Sequence, residues 1–229
     1  IKLMLNKHYL NYSIYYFILF ALFCFSAFRY QVGCDWDGMI YMYLNASDIN
    51  FSDIVGRRDP LFWTILMFMQ KMDILYPFVN IISSGIFFIG IHALARRQPD
   101  PISFLILLFP ILIMNMPMSG IRQGAAIGLI CLALVSFIDQ RPLRYVFFVV
   151  LATTLHGSAI IFMLMLPFVT GKYNFNRILI TIIIVSLSFF LIPYSESFDA
   201  ASRLYIGQGR DSAGAIFRVG FIFFTGIYF

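Results

Sequence analysis

The 229-residue sequence predicts an all-α fold: a polytopic transmembrane helical bundle with a re-entrant or interfacial helix and a broken-helix hairpin. Three observations predict it. Hydrophobic residues make up 61% of the chain and charged residues 12%, whereas a soluble domain carries about 25% charged. Mean hydropathy is +0.85. The apolar residues also fall into stretches close to the roughly 20 residues that cross a bilayer as a helix. A soluble surface cannot be assembled from the remainder. In lipid the outward face favours Phe, Leu and Ile, and helices satisfy their own backbone polar groups.

The first apolar stretch is Tyr12–Phe28, too long and aromatic for a cleaved leader and without an A-x-A site after it. The polar loop Arg29–Asp59 follows. Leu61–Met69 is apolar but short and ends at Gln70, Lys71 and Asp73, which predicts a re-entrant or interfacial helix opened by Pro60. Further spans are expected at Ile74–Ala95, at Pro101–Pro117 with a kink at Pro110, and at Ile121–Ile138. Tyr145–Val169 is either one tilted span or two half-spans turning at His156-Gly157. A span at Ile178–Pro193 and another starting near Phe217 complete the pattern. The 229 residues are expected to form one transmembrane domain and to be a piece of a longer chain, since the sequence starts at Ile1 and stops inside an apolar run.

Charge bias sets the expected orientation. With Lys2 and Lys7 inside, Arg96, Arg97, Arg141 and Arg144 also fall inside. A hairpin at Tyr145–Val169 adds Lys172 and Arg177, giving eight basic residues inside against Asp100 and Asp139. A single span would weaken this bias, so the hairpin is favoured. The net charge of +5 is then a positive-inside signal. No polar domain carries a basic face, so nucleic acid is not an expected partner. Cys24 and Cys131 lie in apolar runs and Cys34 in a polar loop, a spacing that suits neither a disulfide framework nor a metal site.

The outside loops carry the residues with chemistry. Gly33-Cys34-Asp35-Trp36-Asp37-Gly38 sets two carboxylates beside an indole, a combination that suits sugar hydroxyls and the apolar face of a sugar ring. A solvated turn cluster competes with that role. Arg57 and Arg58 precede Asp59-Pro60, where guanidinium forks and a helix start both favour phosphate oxygens. Headgroup anchoring is the plainer alternative. Arg122, with Gln123 beside it, opens an otherwise apolar span, where charge usually marks a site. His156 lies midway through an apolar stretch, and an imidazole is well suited to proton transfer near neutral pH. Arg203 and Arg210, in a Gly-rich loop, are candidate phosphate contacts. No nucleotide-binding or zinc-protease motif is present, so a reaction here would draw its energy from its substrate.

The order of these features resembles the EpsG-like family of polytopic proteins, related in role to Wzy-type O-antigen and exopolysaccharide polymerases. The features are the Gly33-Cys34-Asp35 loop, the Asp59-Pro60-Leu61-Phe62 helix start, Arg122-Gln123 opening a small-residue span, and the spacing of Ala152, His156 and Ser158. A Tyr/Gly loop ending at Ser212–Ala215 completes the order. Asp59 stands where the family often has Glu. The resemblance implies a multi-pass glycosyltransferase of a bacterial inner membrane. It would join undecaprenyl-diphosphate-linked repeat units on the outer face, without cofactor or metal, among membrane lipids and beside chain-length regulator and flippase proteins. Arg122, His156 and Asp35 are the expected catalytic residues. Arg57, Arg58, Asp59, Trp36, Asp37, Gln123, Arg203 and Arg210 are the expected substrate contacts. A transporter or flippase using the same arginines is the alternative.

Overall fold

The structure, a computed structural model, describes residues 2–55 and 57–170 and scattered helical positions between 175 and 186. Described residues contain no strand and belong to one unit, residues 1–188. The helices are α1 (Lys2–Ala27), α2 (Trp36–Leu44), α3 (Phe51–Val55), α4 (Pro60–Lys71), α5 (Pro77–Ala95), α6 (Pro101–Leu108), α7 (Met116–Ser119), α8 (Ile121–Ile138) and α9 (Pro142–Leu155). A π turn, Phe109–Ile113, joins α6 to α7, and a 3₁₀ helix, Gly157–Phe168, follows α9. Pro60, Pro77, Pro101 and Pro142 each open a helix, where the missing N–H costs nothing and the fixed φ is already helical.

Pro77–Ala95, Pro101–Ser119 and Ile121–Ile138 are long and apolar enough to cross a membrane. Tyr12–Ala27, Pro142–Leu155 and Gly157–Phe168 are shorter apolar helices. The centre is the contact of α5 with α8. A Cβ on Gly90 would lie 2.6 Å from the Cα of Gly128, so the two backbones touch. Such small-residue contacts are how helices pack when lipid supplies no hydrophobic drive. On one side α1 packs on α5 through Phe23 against Phe88 and a Tyr15–His92 hydrogen bond of 3.0 Å. On the other, α2, α4, α9 and the 3₁₀ helix share a core with α8 built around Phe62, Leu66, Ala126, Tyr145 and Leu155.

Three expectations about helix breaks are resolved. The predicted kink at Pro110 is the π turn: Met114 N donates to Phe109 O at 3.0 Å, the five-residue step of a π bulge. The short helix opened by Pro60 is the 12-residue α4. Its start at Asp59 is tied to α8, and the loop after its end is tied to α2, since Tyr43 Oη donates to Ile74 O at 2.5 Å. The stretch Tyr145–Val169 is a hairpin. Tyr145 Oη donates to Phe162 O. A continuous helix would separate positions 17 apart by about 25 Å. The turn is at His156, whose φ of −155° and ψ of 115° are extended.

At the far end of the bundle Arg97 grips Asp139 at 2.9 and 3.0 Å, just past the ends of α5 and α8. These two helices therefore run the same way, and the Arg122 end lies opposite. Of the predicted span Ile178–Pro193 only scattered helical positions are described, and the run from Phe217 lies outside the described residues.

Candidate functional site

Three helix starts meet at the Arg122 end of the bundle. They are Asp59 before α4, Ile121-Arg122 at the start of α8, and Gly157 at the start of the 3₁₀ helix. Their free N–H groups and dipoles make this corner electropositive. One carboxylate occupies it. Asp59 Oδ2 accepts from Arg122 Nη1 at 2.8 Å, and Asp59 Oδ1 accepts from the backbone N–H of Gly157 at 2.9 Å. Residues 59, 122 and 156–157, far apart in sequence, thus converge on a single side chain.

The Asp59 backbone sits in the left-handed region, φ 57° and ψ 53°, directly before Pro60. That conformation costs an L-residue about 1–2 kcal/mol, though Asp is among the residues that tolerate it, and a following proline favours extended backbone instead. The site holds the residue there. Asp59 is only 7% exposed. Burial pushes its carboxyl pKa up, but His156, Arg122 and the Gly157 amide outweigh burial and hold it below the ordinary carboxylate value.

Arg122 keeps an open side. Its side chain is 32% exposed, and its guanidinium also lies over the ring of buried Phe62 at 5.9 Å. Only Nη1 is engaged by Asp59, so the rest of the fork is available. His156 Nδ1 lies 3.7 Å from Asp59 Oδ2, beyond hydrogen-bond reach, and has no other partner among the described residues. The imidazole is 30% exposed, so the ring reaches the open side too.

A second polar cluster braces the first. The Arg29 side chain, 1% exposed, pairs with Asp35 Oδ1 at 3.1 Å and donates to Val32 O at 2.7 Å and to Met118 O. Asp35 Oδ2 accepts from the N–H of Ile121 at 2.9 Å, filling a cap that Gly120 has no side chain to provide. Gly33, at φ 106°, sits against Met118 O and Arg29, where a Cβ would collide with both. The loop from residue 29 to 36 is therefore a bracket on the first turn of α8, one residue from Arg122.

The structure gives two of the expected site residues packing partners. Asp35 was expected as a catalytic carboxylate; both of its oxygens already accept bonds that hold α8. Trp36 was expected as an open platform for a sugar ring. Instead it is 5% exposed, with Tyr76 edge-on at 5.2 Å, Tyr30 at 5.5 Å and the Arg29 guanidinium at 5.7 Å. Trp36→Ala should therefore lower stability by about 3–5 kcal/mol, the usual range for a large buried aromatic. Thermal unfolding of the purified variant checks this. A variant that keeps wild-type stability while losing substrate affinity would restore the platform role.

Asp37 is exposed in the first turn of α2. Gln123 is exposed as well, about 100° round the helix from Arg122. Arg57 and Arg58 are exposed beside the start of α4, and Arg57 stacks over Trp63 at 4.9 Å. Arg203 and Arg210 lie outside the described residues. The sequence reading took Arg29 only as the start of the polar loop. Its place at the end of an apolar helix, four residues before Gly33, was the available signal.

An apolar helical bundle with spanning-length helices and a charged cluster at one end defines a helical membrane protein. The chain belongs to the EpsG family, whose family model matches residues 12–229. Members are polysaccharide-polymerase-type membrane proteins, so this is a membrane protein of polysaccharide biosynthesis. No curated protein and no solved structure matches the chain.

Proposed function

We propose that the protein is a glycosyltransferase that polymerises undecaprenyl-diphosphate-linked oligosaccharide repeat units of O-antigen or exopolysaccharide on the outer face of a bacterial inner membrane. The observation that carries this reading is the convergence of Arg122 and His156 on Asp59 at one mouth of an apolar bundle. A substrate with a long lipid, a diphosphate and sugars needs such surroundings: greasy walls, a cationic corner and a proton acceptor.

In this mechanism the free part of the Arg122 fork, with exposed Arg57 or Arg58, holds the donor diphosphate and takes up negative charge as the leaving group departs. The acceptor hydroxyl oxygen forms a bond to the donor anomeric carbon. The bond from that carbon to the diphosphate breaks, and the prenyl diphosphate leaves with the electron pair. The hydroxyl proton passes to His156, which stands beside the anionic Asp59 that would stabilise an imidazolium. Asp59 acts by positioning both residues. Asp35, already committed to α8, is not used as a base. The partners are the lipid-linked glycan, surrounding membrane lipids, and chain-length regulator and flippase proteins of the same assembly.

The competing reading is a transporter or flippase for lipid-linked glycan, which the broken hairpin at His156 favours, since transporters bind substrate at interrupted helices. The glycan-length profile of a strain lacking the gene separates the two. Polymerisation predicts surface caps of a single repeat unit. Accumulation of lipid-linked repeats on the inner leaflet would replace the polymerase reading with the transporter. His156→Ala, at wild-type protein level, should give the single-repeat profile as well.

A further inference from the structure

We propose that the buried face formed by Arg29, Tyr76 and Asn80 is an internal hydration site that binds ordered water behind the bracket on α8. Four polar atoms there lack a hydrogen-bond partner among the described residues: Arg29 Nε, Tyr76 Oη, and both Nδ2 and Oδ1 of Asn80. Asn80 is 0% exposed, and Arg29 and Tyr76 are buried. Tyr76 and Asn80 stand four residues apart at the start of α5, so they lie one above the other on the same side of the helix. Trp36 links them to Arg29. Its ring lies 5.2 Å from that of Tyr76, and the Arg29 guanidinium stands 5.7 Å from its centroid.

An amide left dry and unpaired is costly, and four such atoms would be a severe burden on a membrane-embedded fold. Water removes that cost. The inventory suits it: Arg29 Nε and Asn80 Nδ2 donate, Asn80 Oδ1 accepts, and Tyr76 Oη does either. A buried water commonly makes about three such bonds. The ligand is water rather than a sugar or phosphate group, because Asn80 is fully enclosed and the Trp36 and Tyr76 rings are packed edge to face. Ser84, buried four residues beyond Asn80, continues the polar line. The site lies directly behind the guanidinium that grips Asp35 and Met118 O. Hydration would thus support the first turn of α8 whether or not the polymerase reading holds.

X-ray radiolytic hydroxyl labelling of the full chain in lipid nanodiscs, read by mass spectrometry, tests this. Radicals form on nearby bound water, so Tyr76, 7% exposed, should label several-fold faster than Tyr43, which is 8% exposed but has its hydroxyl bonded to Ile74 O. Tyr76→Phe gives a second measurement. It deletes one oxygen without changing shape. Around a hydrated phenol the variant's Tm is unchanged or lower, because a bond to water is lost. Around a dry one it rises, because an unpaid desolvation is relieved. Tyr76 labelling no faster than Tyr43, or a raised Tm in Tyr76→Phe, overturns the proposal.

Discussion

Arg122→Ala is expected to remove long glycan chains, with turnover reduced about 10²–10³-fold, the usual loss when one donor to developing negative charge is deleted. Arg122 is both cationic and open. Its Nη1 is fixed by Asp59 while its side chain stays 32% exposed. A stability loss accompanies the change, because Asp59 would remain 7% exposed with its strongest partner gone. That loss is about 1–3 kcal/mol, toward the low end because the exposed side of Arg122 is screened by solvent. Arg122→Lys separates charge from shape: an ammonium supplies a point charge but no planar fork, so an intermediate ladder is expected. The glycan ladder on a gel, normalised to protein level in the membrane, reads the first effect, and thermal unfolding in detergent reads the second. A wild-type ladder from Arg122→Ala at normal protein level would remove Arg122 from the chemistry.

The parts of the fold that depend on local chemistry were legible in the sequence. Spans follow from runs of apolar residues, helix starts from Pro60 and Pro101, and the break in the third stretch from Pro110. The hairpin was legible through charge, since only a reversal at His156-Gly157 keeps Lys172 and Arg177 with the other basic residues. Burial of polar residues was not legible. Trp36 and Asp35 occupy a Gly/Asp-rich stretch that reads as solvated loop or open binding surface. Only the distant partners Tyr76, Ile121 and Arg29 make it a buried bracket. Asp59 was read as a helix-start residue among substrate contacts. Its role as the hub depends on residues 63 and 98 positions away, and no local pattern carries that information. The 12-residue 3₁₀ helix was equally hidden, because apolar periodicity over so short a stretch does not separate three residues per turn from 3.6.

Asp59→Asn should retain the hairpin and the start of α4 while weakening the grip on Arg122, because it changes charge and little else. Asn is tolerated at the left-handed φ of 57°, and its carbonyl oxygen can still accept from Gly157 N. Its other position becomes an NH₂ facing the Arg122 donor, so the ion pair is lost and the guanidinium is freed to wander. We expect polymer yield to fall severely with a stability loss of about 1–3 kcal/mol. The acid response identifies the charge as the cause. The folded Asp59 carboxyl is held below its ordinary value, so its contribution to stability is complete above the ordinary carboxyl pKa. That contribution disappears as pH falls through the lower, folded value. The stability gap between wild type and Asp59→Asn should therefore be constant near neutral pH and close only in acid below the ordinary carboxylate range. Unfolding curves in detergent across a pH series measure that gap. A gap that closes at or above the ordinary range would mean that Arg122, His156 and the Gly157 amide do not outweigh burial. In that case Asp59 would not be the anion that holds the two functional side chains together.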